Sequence, residues 1–130
     1  MIIKEKTICL TGHRPKSLPW GYDESKERCV MFKKELEKIF LGAIDYGIST
    51  FLTGMAEGFD MIGAEILLDI RKNRNIKVIA IVPCVGQELK WKPDQQKRYK
   101  TILKRCNDVI TLSDRYTPTC MNERNKFMVE

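Results

Sequence analysis

The chain has 130 residues, 43% of them hydrophobic, which is enough for one domain with a buried core and too short for two. Its longest apolar runs, such as residues 78–82, are far too short to cross a bilayer, and its N-terminus lacks the apolar block of a signal peptide. We therefore expect a cytoplasmic protein without a membrane partner. The net charge of +6 favours a polyanionic partner, although lysines spread over the surface also serve solubility.

The cysteines are irregularly spaced, with no C-x-x-C motif and a single histidine elsewhere in the chain. This pattern argues against a zinc site and against the disulfide framework of a secreted protein. We expect buried thiols in a reducing compartment, no metal site and no cofactor. The five are Cys9, Cys29, Cys84, Cys106 and Cys120.

The first predicted strand covers residues 7–10 and ends at Thr11-Gly12. After a proline-broken loop, Asp23 is predicted to cap a first helix that Gly47 ends. Its inward face is predicted from apolar residues at helical spacing. They are Cys29, Phe32, Leu36, Ile39, Phe40 and Ala43.

The remaining predicted elements alternate between strand and helix. The β-branched run 77–82 is typical of a strand covered on both faces. The other two predicted strands are residues 48–52 and 108–112. The predicted helices are residues 59–72, a segment from about Pro93, and a segment from Thr117-Pro118 to Met128. The helix that begins near Pro93 is predicted to turn Tyr99, Ile102, Leu103 and Cys106 inward. This alternation predicts an α/β fold with a parallel sheet and right-handed crossovers.

The polar and glycine-rich segments follow strands rather than precede them. They are residues 11–14, 53–60 and 113–116. Ligands of parallel α/β sheets bind outside the carboxyl ends of the strands, so these segments are the candidate site.

The strongest segment is T-G-M-A-E-G-F-D, from Thr53 to Asp60, between a strand and a helix. Gly54 and Gly58 allow a tight turn and a close approach of backbone to ligand, and the helix N-terminus favours an anion such as phosphate. The alternative is an ordinary tight turn in which Asp60 only caps the helix. The segment is neither a Walker loop nor a G-x-G-x-x-G fingerprint.

Two carboxylates follow this turn along the chain. Asp60 suits the hydroxyl pair of a ribose, and Glu65 suits either the site or a structural ion pair. The loop after the first strand adds Thr11, Gly12, His13 and Arg14. Arg14 fits bidentate phosphate contacts, and His13 is either a general acid or base, a donor to phosphate, or an idle exposed residue.

Two further basic regions are candidates. Arg124 and Asn125 lie in the last predicted helix, where Arg124 is either a ligand contact or a surface charge. Residues 90–105 hold seven Lys or Arg around Trp91 and Tyr99, which favours either a nucleic-acid contact or a solvated helix face. Trp91 would stack on a base or cover the helix.

Three motifs together resemble the YpsA/YoqJ-type family of the SLOG superfamily of Rossmann-like domains, related to the LOG and DprA proteins. The motifs are T-G-H-R-P, T-G-M-A-E-G-F-D-M-I-G-A-E and C-x-x-x-R-N-x-x-M, which span nearly the whole chain. The resemblance implies one Rossmann-like nucleotide-binding domain over residues 1–130, a three-layer parallel sheet with helices on both faces. It implies a site built from Thr11, Gly12, His13, Arg14, Gly54, Glu57, Gly58, Asp60, Glu65, Arg124 and Asn125; Thr53, which opens the same turn, completes our candidate set.

The resemblance leaves three functions open. The first is binding, in the manner of a sensor, of a nucleotide or a nucleotide-derived molecule such as ADP-ribose. The second is hydrolysis of the N-glycosidic bond of a nucleoside monophosphate, with Glu65, Asp60 and His13 as catalytic candidates. The third is DprA-like binding of single-stranded nucleic acid. A homo-oligomer is compatible with all three.

The sequence departs from this pattern in two places. It has no P-G-G-x-G-T-x-x-E segment, the signature of LOG-type hydrolases. Relatives usually continue past the R-N-x-x-M helix into another strand and a Gly-Gly-Thr turn that helps to close the phosphate site, whereas this sequence ends at Glu130. We therefore expect either a truncated chain or a short natural form.

Overall fold

A computed structural model describes residues 6–10, 12, 15–114 and 120–129, excepting the side chains of residues 120–123 and 129. Its sheet has four parallel strands in the order β1-β2-β3-β4. The strands are β1 (Thr7–Leu10), β2 (Thr50–Thr53), β3 (Lys77–Val82) and β4 (Asp108–Thr111). The predicted parallel α/β sheet is confirmed.

Four helices pack on the two faces of this sheet. They are α1 (Glu27–Asp45), α2 (Phe59–Ile70), α3 (Pro93–Arg105) and α4 (Cys120–Val129). Because the strands follow one another in order, right-handed crossovers place the connecting helices α1, α2 and α3 on one face. The helix α4 packs on the other face.

Alternate strand residues fill two separate cores, as the twofold period of a strand requires. Phe51 and Val78 point into the larger core, which the helices α1, α2 and α3 complete. Leu52 and Ile81 point into the smaller core, which Met128 of α4 completes. The predicted three-layer arrangement, with helices on both faces, is therefore confirmed.

The start of α1 differs from the prediction. Asp23 accepts hydrogen bonds from the amide and hydroxyl of Ser25, so it stabilises a turn that precedes the helix. Lys26 is the N-cap instead, and it has no side-chain capping bond. Ile39 was predicted to face inward, but its side chain is exposed because it is rotated about 100° from the buried Phe40.

The other boundaries agree with the prediction to within two residues. The strand β3 and the start of α3 lie where they were predicted. The strand β2 begins two residues later and ends one later, and α2 ends two residues earlier. Thr117 and Pro118, predicted to begin the last helix, lie outside the described residues.

Candidate functional site

The bend between β2 and α2 is held together from within by Thr53. Its side chain is fully buried, its hydroxyl donates to the carbonyl of Asp60 (3.1 Å), and it accepts the amide of Met55 (3.3 Å). These bonds tie the end of the strand to the first turn of the helix. Thr53 therefore fixes the shape of the bend.

Asp60 closes the same bend from the helix side. It is 2% exposed, and one carboxylate oxygen accepts the amide of Ala56 at 3.3 Å. Two amides of the bend, those of Met55 and Ala56, are thus used by the protein's own atoms. These two amides are therefore not offered to a ligand, and the expected anion preference rests on the N-terminus of α2.

Gly58 begins the helix α2, and no side chain of the described residues caps it. It is the N-cap of the helix, with φ 89° and ψ −126°, a conformation that glycine alone adopts at low cost. A helix leaves its first amides without intrahelical partners, and its dipole is positive at this end. The N-terminus of α2 is therefore still expected to favour a bound anion, as the glycine-rich segment predicted.

Arg124 reaches the bend from α4, on the opposite face of the sheet. Its side chain is 5% exposed, and its Nη1 donates to the carbonyl of Gly54 at 3.0 Å. A Cβ at Gly54 would lie only 2.7 Å from the guanidinium carbon, so any larger residue at this position would displace the guanidinium. Asn125 orients the guanidinium by accepting from both Nε and Nη2. The structure therefore brings Gly54, Arg124 and Asn125 together, and their part in ligand binding stays a prediction.

The loop after β1 lies against the start of α2. A Cβ at Gly12 would come within 2.4 Å of the Phe59 ring, so the backbone of Gly12 packs directly on that ring. Thr11, His13 and Arg14 lie outside the described residues, and their predicted part in the site stays a prediction. Of this candidate segment, the described Gly12 lies next to the start of α2.

Three loops meet at the carboxyl ends of the strands through contacts among Tyr22, Glu57 and Lys92. We name these three residues the carboxyl rim. The Tyr22 hydroxyl donates to the Glu57 carboxylate at 3.2 Å, and the Lys92 ammonium lies 4.4 Å from the centroid of the Tyr22 ring. Partial burial and the Glu57 carboxylate raise the pKa of Tyr22 above its ordinary value. The loops after β1, β2 and β3 therefore meet at one edge of the sheet.

Gln87 links the loop after β3 to the bend. Its Nε2 donates to the carbonyl of Met55 and to the hydroxyl of Tyr99, both at 3.3 Å. Met55 needs such support because it is a non-glycine residue at φ 59°. The sequence analysis missed Tyr22, Gln87 and Lys92; the signal available was that each is a polar residue in a loop that follows a strand.

Glu65 lies outside this bend, in an ion-pair cluster that joins three helices. Arg98 of α3 donates to Glu65 of α2 and to Glu24, and Lys33 of α1 pairs with Glu24 at 2.8 Å. Burial pushes the pKa of Glu24 up, but the hydrogen bonds from Arg98 and Lys33 outweigh it and hold that pKa below its ordinary value. The carboxylates in turn raise the pKa of Arg98 against the effect of its burial. Of the two alternatives for Glu65, these contacts support the structural ion pair.

The basic segment of α3 is mostly a solvated helix face. Lys97, Lys100 and Lys104 are exposed and make no ion pair within the described part of the chain. Trp91 packs edge-on against Tyr99, with ring centroids 5.2 Å apart. Of the two alternatives for Trp91, this contact supports the one in which it covers the helix.

None of the described helices combines the length and apolar character that crossing a membrane requires. Across residues 6–10, 12, 15–114 and 120–129, no three His, Cys, Asp or Glu side chains are grouped as metal ligands would be.

The parallel sheet, with its glycine bend and buried arginine at the carboxyl ends of the strands, defines a Rossmann-like α/β domain. The family model described as the YspA SLOG family matches residues 8–130. The chain therefore belongs to the YpsA family of the SLOG superfamily, and this membership, with the parallel sheet, fits a role in binding a nucleotide-related ligand.

Curated relatives are similar over almost the whole chain. A UPF0398 protein of Bacillus velezensis is 28% identical over 96% of this chain and 70% of its own length. UPF0398 proteins of Bacillus licheniformis and Halalkalibacterium halodurans are 25% and 26% identical, each over 96% of this chain and over 69% and 67% of their own lengths. The names of these relatives state no ligand.

Proposed function

We propose that the protein binds a nucleotide or a nucleotide-derived phosphate ligand, such as ADP-ribose, at the bend between β2 and α2 and acts as a sensor of it. The observation that carries the proposal is the buried guanidinium of Arg124, held against Gly54 beside the uncapped N-terminus of α2. A buried cation and a helix N-terminus at one bend both favour negative charge.

The carboxylates nearby favour a nucleoside phosphate over a bare inorganic anion. Asp60 is almost fully buried and holds the Ala56 amide, whereas Glu57 is half-buried on the carboxyl rim. A carboxylate at the edge of such a site suits the hydroxyls of a ribose. We therefore assign the ribose contact to Glu57 in place of Asp60.

Calorimetric and thermal-shift titrations with AMP, ADP-ribose, NAD, cyclic dinucleotides and inorganic pyrophosphate test the proposal. We expect one nucleotide to raise the melting temperature, because a hundredfold excess over its Kd adds about 2.7 kcal/mol to the free energy of unfolding. Pyrophosphate should raise the melting temperature by less. If no nucleotide in the panel binds the wild-type protein, the proposal is wrong.

Two substitutions at the bend sharpen the test. Gly54→Ala puts a methyl group into the guanidinium of Arg124, and Arg124→Gln removes the cation, so each should weaken binding by tenfold or more, about 1.4 kcal/mol. Gly42→Ala is the matched control, because a Cβ there meets nothing within 4 Å. Wild-type affinity in both site variants would contradict the proposed site.

Nucleic acid is a second candidate partner, favoured by the exposed lysines of α3 that make no ion pair among the described residues. Such binding rests on released counterions, so it must weaken steeply as salt rises. Fluorescence anisotropy of a labelled single-stranded oligonucleotide, measured at low and high salt, distinguishes nucleic-acid binding from the binding of a small nucleotide. A salt-dependent complex that Lys97→Glu and Lys100→Glu weaken would support this candidate, and no complex at low salt would reject it.

The hydrolase alternative gains no support from Glu65, whose carboxylate is engaged by Arg98. Its other candidates are Asp60, which holds the Ala56 amide, and His13, which lies outside the described residues. Release of free base from a nucleoside monophosphate would establish it.

A further inference from the structure

The helix α1 turns an apolar stripe toward solvent. Met31, Ile39 and Tyr46 are 59%, 65% and 95% exposed. At 100° per residue these three lie within an arc of about 80°, which does not overlap the arc of the buried Cys29, Leu36 and Phe40. Single exposed apolar residues are ordinary, but three within one arc of the same helix mark that arc as a candidate contact surface.

Gly42 lies in the same stripe and leaves a gap in it. A Cβ at Gly42 would meet nothing within 4 Å, so no neighbour within the described chain requires a glycine there. Glycine in a helix interior lowers helix stability, and its use here is explained if another backbone or side chain approaches this position.

The charges of this stripe are complementary to one another. Glu35 and Lys38 pair loosely at 3.4 Å and remain mostly exposed. Together with Lys34 and Glu37 they surround Met31 and line an open depression of about 430 Å³. Two positive and two negative charges cancel, so this surface suits neither a polyanion nor an anionic lipid surface. It does suit a copy of itself.

We propose that this face of α1 packs antiparallel against the same face of a second copy of the chain, around a two-fold axis. In a two-fold interface each contact occurs twice with its members exchanged. With the axis between residues 36 and 37, Met31 fits over the partner's Gly42, and Glu35 faces the partner's Lys38. The depression around Met31 then receives side chains of the second helix.

One pair of helices buries less area than a standard protein interface of about 1,600 Å², so the dimer is weak, with a Kd in the micromolar range or above. Sedimentation equilibrium over about 1 µM to 1 mM protein should therefore show a concentration-dependent passage from monomer to dimer. Monomer throughout this range would overturn the proposal.

Charge exchange tests the register. Glu35→Lys and Lys38→Glu should each weaken self-association by about tenfold or more, because each places two like-charged pairs across the axis. An equimolar mixture of the two variants should dimerise again, since every cross-axis pair is then opposite in sign. Asp69→Lys is the control, because Asp69 belongs to a similar exposed pair with Lys72 away from α1 and should leave the dimer unchanged.

Gly42→Leu separates the interface from folding. Leucine improves the helix, so the melting temperature of the monomer should rise, while the dimer should be lost because the leucine fills the space opposite Met31. A mixture of the charge variants that stays monomeric, or a Gly42→Leu protein that dimerises as the wild type does, would overturn the proposed packing.

Discussion

Replacing Thr53 by valine tests whether the bend is held by one hydroxyl. Valine keeps the shape of threonine, but it removes the donor to the Asp60 carbonyl and the acceptor of the Met55 amide. Both partners lie in a buried region, and the Met55 amide loses the acceptor that Thr53 provides. Leaving a buried amide without its hydrogen bond costs about 1–3 kcal/mol, with no cavity to add to it.

For a domain of this size, that loss should lower the melting temperature by about 4–10 °C, measured by calorimetry and by urea denaturation with an unchanged m-value. Thr53→Ser is the control, because it keeps the hydroxyl and loses one methyl group, at about 1 kcal/mol. If the valine variant proves as stable as the wild type, or more stable than the serine variant, the hydroxyl does not hold the bend.

Two further predictions concern pH. The hydrogen bonds of Glu24 with Arg98 and Lys33 lower the pKa of its carboxyl group in the folded state. The contribution of Glu24 to the free energy of unfolding is therefore present above the unfolded-state pKa of about 4.3 and is lost as the pH falls through the folded-state pKa. Urea unfolding of Glu24→Gln should therefore show a flatter loss of stability in acid than the wild type, while Glu35→Gln, at an exposed pair, should follow the wild type. Burial raises the pKa of Tyr99 to about 12. The contribution of its neutral phenol to the free energy of unfolding is therefore present below pH 10 and is lost as the pH rises toward 12. Tyr99→Phe should remove a phenol that titrates near pH 12 from an absorbance titration, and an unchanged titration curve would contradict the assignment.

The elements predicted best were those whose sequence signals are local. The β-branched run of β3 and the proline that opens α3 determine their own boundaries, because neither depends on distant partners. Asp23 was misplaced because its carboxylate has two local options, a helix cap or a turn, and the bonds from Ser25 favour the turn. Ile39 was misplaced because helical spacing alone does not say where an apolar stripe ends.

The candidate site was only partly predictable for a similar reason. Gly54 and Gly58 predicted the bend, because a close approach of another group to the backbone and a positive φ both favour glycine. The internal bonds of Met55 and Ala56 and the contact from Gln87 depend on how loops after neighbouring strands meet. Spacing along the chain does not contain that information, because it follows from the order of strands in the sheet.

The order of the strands has a consequence for how the domain assembles. Each strand pairs with its predecessor in the chain, so the sheet can grow one β-α unit at a time, by pairings that span about 27 to 43 residues. The contact of Arg124 with Gly54 is different, since it spans 70 residues. During synthesis the sheet can therefore form before the bend receives its arginine, so the proposed ligand site is completed only after α4 has been made.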